Sequence, residues 1–281
     1  MIDGLVKSLL VLADVVEARD PYTGGHLWRV SQFSKLLAVK MGLPERKALQ
    51  ISLGGYLHDL GKVGITDEIL LKKGNLSEAE YDVIKTHPLI GLKLIDEHPL
   101  SELVSKVIVE HHEQVNGGGY PYGLKGQNIS LAAKIVSVAD TLDALTSTRP
   151  YRREMPLEKA LQILEQGSGT QFDKTVINHI CELGRDGDLS HIIGHSAEKI
   201  PLVTCPTCGP VIAVPRTARD GDVVFCRACT GKLVLHREGD SFNAEMVGKT
   251  ENPIELQSQI NYAAITDLII QTGGKIGVVD T

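Results

Sequence analysis

Aromatic side chains are scarce in this chain, which has 281 residues of which only 4% are Phe, Trp or Tyr. Stacking of nucleic-acid bases on aromatic rings therefore has little material to work with. A surplus of positive charge is missing too, because the net charge is −6, and this balance argues against a broad surface for a phosphate backbone. We therefore expect no nucleic-acid partner. A small phosphorylated ligand stays open if metals and a few cations are concentrated locally.

Long apolar runs and abundant cysteines are also absent. No stretch approaches the roughly 20 apolar residues that a membrane-spanning helix needs. The first eighteen residues are interrupted by Asp3, Lys7, Asp14 and Glu17, which is typical of an amphipathic helix rather than a signal peptide. Of only five cysteines, four form two Cys-x-x-Cys pairs. Without a secretion signal, this pattern favours metal binding in a reducing cytoplasm over disulfides.

Helical periodicity dominates the first two thirds of the chain, and no convincing strand alternation occurs before residue 190. From Leu202 to Leu235, short valine-rich runs between turn residues indicate a small β unit. An apolar stripe then predicts a helix over 254–270. We therefore predict a mainly α fold in three parts: a helical domain at 1–188, a small β module at 189–250 and a helical tail at 251–281.

Helix boundaries in the first part follow from capping and breaker residues. The third predicted helix runs from about Pro44 to Leu60, with Gly61 as its stop. The pattern Ser77-Glu78-Ala79-Glu80 is a capping box and begins a later helix. The pair His58-Asp59 is therefore expected at a helix end, where it can offer a nitrogen and an oxygen ligand to neighbouring metal ions.

Residues with metal-ligand chemistry recur across the helical domain, mostly at helix ends beside Gly or Pro loops. The candidate ligands are His26, His58, Asp59, His87, His111, His112 and Asp140. Helices packed as a bundle can point such residues into one interior site, where imidazoles and carboxylates can hold metal ions. For any one of these residues, a local hydrogen bond in the core or at the surface is the simpler interpretation. For the set, a metal site is favoured, because buried unpaired groups would be costly.

The two cysteine pairs are Cys205/Cys208 and Cys226/Cys229, with seventeen residues between them. Four thiolates at this spacing predict one tetrahedral zinc ion that organises a small β ribbon. A redox dithiol is the alternative, and it is disfavoured because no thioredoxin-like unit surrounds either pair. The fifth cysteine, Cys181, lies in a predicted helix and is expected to be a buried small apolar residue.

Residues 17–173 resemble an HD-GYP domain, a branch of the HD superfamily of metal phosphohydrolases, and the cysteine module resembles a zinc ribbon. The motifs that carry the first resemblance, in the family's order, are Glu17-Ala18-Arg19-Asp20-Pro21-Tyr22-Thr23-Gly24-Gly25-His26; His58-Asp59-Leu60-Gly61-Lys62; His87-Pro88; His111-His112-Glu113 with Gly119-Tyr120-Pro121; Val138-Ala139-Asp140 with Asp143-Ala144-Leu145-Thr146; Arg149-Pro150-Tyr151-Arg152; and Gly169-Thr170-Gln171-Phe172-Asp173. The resemblance implies an HD-type helical bundle, a centre of two or three metals (often iron or manganese), and hydrolysis of cyclic dinucleotides in bacterial signalling.

Carried over residue by residue, the seven candidate ligands match the family's metal ligands, and Asp59 would bridge two ions. Members with a third metal have a Glu four residues before the first ligand His, where this chain has Tyr22, so we predict two ions. The positions that match the family's substrate contacts are Lys62, Tyr120, Arg149 and Arg152. Asp20 and Asp143 match supporting positions.

Each of these supporting and substrate positions has a plainer interpretation when taken alone. Lys62 would be a helix C-terminal cation, and Tyr120 a packed loop aromatic. Arg149 and Arg152 would be solvated loop charges. Asp143 would cap or pair locally instead of supporting the ligands from one turn after Asp140, and Asp20 would be a helix-end carboxylate. Departures from the family pattern at Thr66, Asn116 and Lys174 remove no ligand.

The resemblance leads us to predict a cyclic di-GMP phosphodiesterase. Two metals would lower the pKa of a bridging water, and the resulting hydroxide would attack phosphorus in line with the departing 3′ oxygen. Asp59 and Lys62 would act directly in the reaction, Lys62 by stabilising the added negative charge. The alternatives are hydrolysis of a mixed guanine–adenine cyclic dinucleotide, and a sensor or interaction module without useful turnover. The ribbon or the tail could serve a protein partner or a homodimer.

Overall fold

The computed structural model describes residues 2–20, 23–72, 74–148, 154–209, 211–239, 241–257, 260–273 and 275–276. The helices in these ranges are α1 (Ile2–Glu17), α2 (His26–Lys40), α3 (Glu45–Leu57), α4 (Asp67–Leu70), α5 (Glu78–Ile84), α6 (His87–Ile95), α7 (Ser101–Glu110), α8 (Leu131–Thr146), α9 (Leu157–Gln166), α10 (Lys174–Asp186) and α11 (Tyr262–Thr272). The strands are β1 (His195–Ala197), β2 (Ile200–Thr204), β3 (Val211–Ala213), β4 (Val223–Cys226), β5 (Gly231–Glu238) and β6 (Ser241–Lys249). Within the described ranges, no helix combines the length and the apolar character that crossing a bilayer would require. The predicted fold class, mainly helical with a small C-terminal β region, is confirmed.

The capping box predicted before α5 is present. The Ser77 side chain accepts the amide of Glu80, and the Glu80 carboxylate accepts the amide of Ser77 at 2.7 Å. The predicted end of the third helix at Leu60 is wrong, because α3 ends at Leu57 and a 3₁₀ turn follows over Leu60–Gly64. Tight packing explains the change: a Cβ on Gly61 would lie 1.8 Å from the His87 carbonyl oxygen. His58 and Asp59 thus occupy the junction between two kinds of helix.

The tail helix begins later than its apolar stripe predicts, at Tyr262 instead of residue 254. Asn252 and Pro253 start a run of turns, in which the Leu256 amide donates to the Pro253 carbonyl. The helix then starts where Asn261 can cap it, since the Asn261 side chain accepts the amide of Ala264 at 3.1 Å. Hydrophobic periodicity therefore located the helix correctly but placed its start eight residues too early.

Two hydrophobic cores divide the molecule. The larger one lies among the helices and also takes in buried residues from β1 and α11, including Ala197 and Leu268. The smaller one consists of Val203, Cys205, Val214, Ala218, Val224, Cys226, Leu233 and Leu235. The β region is thus divided, because its first strand packs into the helical core while the strands around the cysteines form a core of their own.

The β region has two antiparallel three-stranded sheets, ordered β1-β2-β3 and β4-β5-β6. Strand β5 alternates as a half-buried strand should, with Leu233 and Leu235 buried and Lys232 exposed. The valine-rich prediction located this region correctly, although the strands extend on either side of it to His195 and Lys249.

Candidate metal centres

The structure brings all seven predicted metal ligands of the helical domain together. They form two adjoining subsets, in each of which the ligand atoms lie within 4.8 Å of one another: Asp59, His87, His111 and His112 in one, and His26, His58 and Asp140 in the other. The ring of His58 adjoins both, with its centroid 5.2 Å from that of His26 and 5.0 Å from that of His111. We call this set the His/Asp cluster.

Helix ends supply most of the His/Asp cluster. His26 and His87 are the first residues of α2 and α6, while His58 and His111 directly follow the last residues of α3 and α7. Asp140 comes from within α8. Ends of several helices can meet at one point, whereas side chains along their lengths are occupied by packing, so the cluster lies where the bundle converges.

Carbonyl groups at helix ends set the orientation of three imidazoles. The Nδ1 atoms of His58, His87 and His111 lie 2.7, 2.8 and 2.9 Å from the carbonyl oxygens of the residues three positions earlier. These carbonyls belong to the last turns of α3, α5 and α7, where a carbonyl lacks a helical partner. A carbonyl can only accept, so each Nδ1 carries the proton and each Nε2 is left as a lone-pair ligand.

Asp59 lies between the two subsets. Its Oδ2 is 3.5 Å from Nε2 of His26, and its Oδ1 is 3.4 Å from Nε2 of His87. The Lys62 ammonium, one 3₁₀ turn later, lies 2.6 Å from Oδ2. The carboxylate thus presents one oxygen to each subset.

The protonation states of the cluster suit metal binding. Burial lowers the pKa of His87 to about 4 and that of His112 to about 3. Burial alone would raise the pKa of Asp59, but the charge of Lys62 and the hydrogen bond from His26 hold it well below its usual range. Neutral imidazoles and ionised carboxylates are the forms that bind metal.

His26 differs from the other histidines of the cluster. Burial by itself lowers its pKa, but hydrogen bonds to Asp143 and Asp59 outweigh that effect and raise the pKa to about 9. Its Nδ1 is 2.7 Å from Oδ2 of Asp143, so the proton that a metal would displace is the one on Nε2.

The burial and the chemistry of the cluster's donor atoms fit a metal ion. Nε2 of His58 is buried and makes no hydrogen bond to any described residue, although Oδ2 of Asp59 lies 3.3 Å away. An unbonded buried polar atom is costly unless something binds it. The surrounding donors are imidazole nitrogens and carboxylate oxygens, a set that suits iron, manganese or zinc. The side chain of Asp140 is 21% exposed, so the cluster is not sealed from solvent.

Asp143, Asp20 and Glu17 surround the His26 side of the cluster. Asp143 contacts His26 directly, as described above, whereas Asp20 lines a small cavity together with Asp59 and Lys62. The Glu17 carboxylate accepts the backbone amide of Leu27 at 2.9 Å. Because Gly25, the residue before α2, has no side chain to cap the helix, Glu17 satisfies one of the free amides at its start.

A cleft of about 380 Å³ adjoins the cluster and is lined by Lys62, His87, His112, Tyr120, Asp140 and Gln171, among others. The ring of Tyr120 stacks on His112 with centroids 4.8 Å apart and meets Tyr81 edge to face at 6.5 Å. Gly119 permits this arrangement, because a Cβ there would come within 2.5 Å of the His112 carbonyl oxygen. Two predicted substrate residues, Arg149 and Arg152, lie outside the described residues, and so does Tyr22.

The four predicted zinc ligands also meet. Sγ of Cys205 is 3.7 Å from those of Cys208 and Cys229, and Sγ of Cys208 is 3.5 Å from that of Cys226. A tetrahedron with zinc–sulfur distances of 2.3 Å has edges of about 3.8 Å, so the spacing fits one zinc ion. Burial alone would raise the pKa of the Cys205 thiol, but backbone amides of Cys208 and Thr207 lower it. We call this set the cysteine cluster. The fifth cysteine, Cys181, is buried in α10, as predicted.

Sequence reasoning gave no role to two buried charged residues beside the site. The Glu113 carboxylate accepts the amides of Tyr122 and Leu124, at 2.7 and 2.9 Å, and so ties down the loop that carries Tyr120. Arg29 contacts Asp143 through its guanidinium. The position of Arg29 three residues after His26 was the one available signal, since such residues share a helix face.

A helical bundle with a buried His/Asp cluster at converging helix ends defines a class of metal-binding hydrolase folds. The family model described as HD domain matches residues 10–176, which is more than half of the chain. The chain therefore belongs to the HD domain family.

The chain is similar to several curated cyclic dinucleotide phosphodiesterases. It is 36% identical over 211 residues to a cyclic di-GMP phosphodiesterase of Thermotoga maritima, covering 71% of this chain and 57% of that protein. It is 39% identical over 174 residues to a cyclic di-GMP phosphodiesterase response regulator of Xanthomonas campestris, covering 61% and 46%. It is 36% identical over 159 residues to a 3′3′-cGAMP-specific phosphodiesterase of Vibrio cholerae, covering 57% and 35%. The chain thus spans about half, or less, of the length of these relatives.

Among solved structures, a cyclic GMP-AMP-specific phosphodiesterase of Vibrio cholerae has a similar fold. The TM-score is 0.51 at 22% sequence identity, with 67% of this chain and 50% of the other covered. At this identity the likeness concerns the fold alone.

Proposed function

We propose that this chain is a metal-dependent phosphodiesterase of the HD-GYP branch that hydrolyses cyclic di-GMP. The observation that carries the proposal is Asp59, whose two carboxylate oxygens face the two halves of a seven-residue His/Asp cluster. Two-metal centres cleave phosphodiesters by holding ions about 3.5–4 Å apart on both sides of the reacting group. The names and identities of the curated relatives support the same activity.

Two ions fit the two subsets, with Asp59 shared between them. His87, His111 and His112 would hold one ion, and His26, His58 and Asp140 the other. When bound, iron or manganese ions would supply the acidity that converts water to hydroxide near neutral pH and would neutralise phosphate charge. That the centre takes two ions rather than three is part of the proposal, and so is the assignment of iron or manganese.

The protein's own residues would prepare the site for an anionic substrate. Lys62 places a compact cation between Asp59 and the cleft, where it can stabilise negative charge that develops on the phosphate. Tyr120, fixed by its stack on His112, forms part of the cleft wall. Arg149 and Arg152 would add bidentate contacts to phosphate oxygens.

Nucleotide release tests the proposal. The purified chain, loaded in turn with Mn²⁺ and with Fe²⁺ under reducing conditions, is expected to convert cyclic di-GMP to a linear dinucleotide or to GMP. Protein treated with a chelator serves as the control. Tight binding of cyclic di-GMP without product, in the presence of bound metal, would overturn the enzyme and favour a sensor.

A mixed guanine–adenine cyclic dinucleotide is the second candidate substrate. The relative in Vibrio cholerae that is 36% identical carries the name of a 3′3′-cGAMP-specific phosphodiesterase, which favours keeping this candidate. Both nucleotides have the same backbone, so the choice depends on base contacts in the cleft. Competition between the two substrates in one reaction separates them.

For the cysteine cluster we propose one structural zinc held by Cys205, Cys208, Cys226 and Cys229, in a ribbon that begins after residue 188. Free thiolates of this kind persist in a reducing compartment, so we propose the cytoplasm as the location. Contact with a protein partner or a second copy, through the ribbon or the tail helix, stays a prediction. Metal analysis of the purified protein should give one zinc per chain beside the ions of the helical centre.

A further inference from the structure

Arg29 lies wholly inside the protein, with 1% of its surface exposed. Its Nε and Nη2 contact the two carboxylate oxygens of Asp143, and Nη2 also donates to the Ser147 hydroxyl at 3.2 Å. Its Nη1 donates to the carbonyl oxygens of Gly24 and His195, at 3.0 and 2.8 Å. A guanidinium has five N–H groups, and these five contacts occupy all of them.

Asp143 passes the effect of Arg29 to the cluster. This carboxylate is fully buried, and it accepts from Nδ1 of His26 at 2.7 Å. A buried carboxylate without a cation would be costly, so Arg29 stabilises the charge that orients the His26 ring. Nε2 of His26, on the far side of the ring, then points at Asp59 and Asp140, 3.5 and 3.6 Å away.

The contact of Arg29 with His195 comes from strand β1, which lies 166 residues after Arg29 in the chain. The strand also packs directly on the turn before His26: a Cβ added to Gly25 would lie 2.4 Å from Cα of Ser196. On its other side the strand is held at the start of α11, because the side-chain amide of Asn261 donates to the Ser196 carbonyl at 2.7 Å. Strand β1 is therefore fixed between the tail helix and the start of α2.

We propose that Arg29 is a positioning residue through which strand β1 holds His26 in its metal-binding orientation. The inference rests on the proposed metal centre, not on the identity of the substrate. Strand β1, which follows the bundle, would then help to form the metal centre, in addition to any role of the zinc ribbon.

Mn²⁺ binding without nucleotide tests the inference on the full chain. Arg29→Gln is expected to weaken Mn²⁺ binding by about 10- to 100-fold, the usual cost of losing a residue that orients a metal ligand. Activity should return at saturating Mn²⁺ with KM unchanged, because Arg29 touches no part of the cleft described above. Arg29→Lys, which keeps the buried charge but has one nitrogen in place of three, should bind Mn²⁺ with intermediate affinity and also covers the case in which Arg29→Gln does not fold.

Two further variants separate positioning from general stability. Asn261→Ala frees the Ser196 carbonyl without touching the cluster, and we expect a several-fold loss of Mn²⁺ affinity. Arg46→Gln is the matched control: Arg46 also joins a helix to a C-terminal carbonyl, that of Ile276 at 3.1 Å, but it lies about 18 Å along α3 from His58. Its Mn²⁺ affinity should equal that of the wild type.

An unchanged Mn²⁺ affinity in Arg29→Gln, or an equal loss in Arg46→Gln, would overturn the inference. An unchanged affinity in Asn261→Ala would overturn the part played by the strand. A third outcome separates the two proposals. If the wild-type chain binds Mn²⁺, Arg29→Gln weakens that binding and the chain does not cleave cyclic di-GMP, the proposed function is refuted and this inference stands.

Discussion

The His/Asp cluster and the cysteine cluster lie in cores of very different size. The first is surrounded by the buried residues of the helical bundle together with β1 and α11. The second lies in a core of eight buried residues in the described chain, two of which are the ligand candidates Cys205 and Cys226 themselves. Apart from these two cysteines, the small core has only six buried residues, all aliphatic.

The two clusters also differ in what orients their ligands. Histidines of the helical cluster are held by backbone carbonyls and by Asp143, so contacts within the protein set their orientation. Among the described contacts of the cysteine sulfurs, the neighbouring sulfurs are prominent, and four thiolates this close would repel one another. A preformed site with an open side suits catalysis, whereas a closed set of four thiolates suits structure.

Removal of zinc should therefore have the largest effect on stability of all the changes considered, and that effect should be confined to the β module. Structural zinc contributes about 10–16 kcal/mol of binding free energy in small zinc-dependent modules, more than a core of this size supplies. We expect Cys208→Ser to lose zinc and to expose the amides of β4, β5 and β6 to rapid hydrogen exchange. Helices α3 and α8 should keep their protection.

Cys181→Ala is the matched control for that experiment, since it removes the cysteine that lies in α10 of the helical core. Its zinc content and strand protection should match the wild type. Strands that stay protected in zinc-free Cys208→Ser would show that the small core suffices, and the contrast between the two regions would fail.

Loss of the His/Asp cluster should abolish activity and leave the fold intact. Bound metals contribute several kcal/mol to the stabilisation of transition-state charge, so we expect His58→Ala with Asp59→Ala to slow cyclic di-GMP cleavage by about 10³-fold or more. Helical circular dichroism should change little, because the large core does not depend on these side chains. Exposed His191, outside the cluster, provides the control variant His191→Ala; a double variant with wild-type turnover would refute the site.

The part of this contrast that the sequence predicts is which residues make up the two clusters. Motif spacing selected all seven residues of the His/Asp cluster and all four cysteines, because metal sites demand particular residue types at helix ends and turns. Helix positions followed from capping residues such as Ser77 and from the breaks at Gly and Pro. These features depend on residue types and on their near neighbours in the chain, so they can be predicted from sequence.

What the sequence does not predict is contact between distant segments. Nothing near Arg29 indicates that its guanidinium reaches the carbonyl of His195, since a lone arginine on a helix usually faces solvent. The late start of α11 has the same origin, because Asn261 can cap the helix and also bind Ser196 only in the folded chain. Such features depend on tertiary packing, which overrides local propensity.

Lys62 offers a smaller test that sharpens the catalytic side of the contrast. If the ammonium stabilises charge in the transition state, Lys62→Gln should lower kcat by about a hundredfold, the usual cost of one such group, with little change in KM. Lys72→Gln is the control, because Lys72 pairs with Glu80 at the surface and exposed pairs contribute about 1 kcal/mol or less. A kcat unchanged by Lys62→Gln would leave this residue as a helix-end cation only.

The smallest predicted effect concerns how pH acts on the helical core, where Asp14 of α1 is buried. Its carboxylate accepts from the Tyr56 hydroxyl at 3.3 Å and from the amide of Asn261. Burial raises the pKa of Asp14 from 3.8 to about 6, so the folded protein binds a proton more tightly than the unfolded chain does. Stability from this group is therefore fully present below about pH 4 and is lost as the pH rises to about 6.

Asp14→Asn should remove that pH dependence, because the amide stays neutral and can still accept from Asn261. We expect the variant to be more stable than the wild type by about 1–3 kcal/mol at pH 7 and equal to it near pH 4, as measured by urea unfolding across this range. Burial and the charge of Asp14 raise the pKa of Glu17 to about 7. In Asp14→Asn burial still raises this pKa but the Asp14 charge is gone, so the slope due to Glu17 should remain and move to lower pH. A variant less stable than the wild type at pH 7 would mean that the charged carboxylate of Asp14 is worth more to the junction of α1, α3 and α11 than its burial costs.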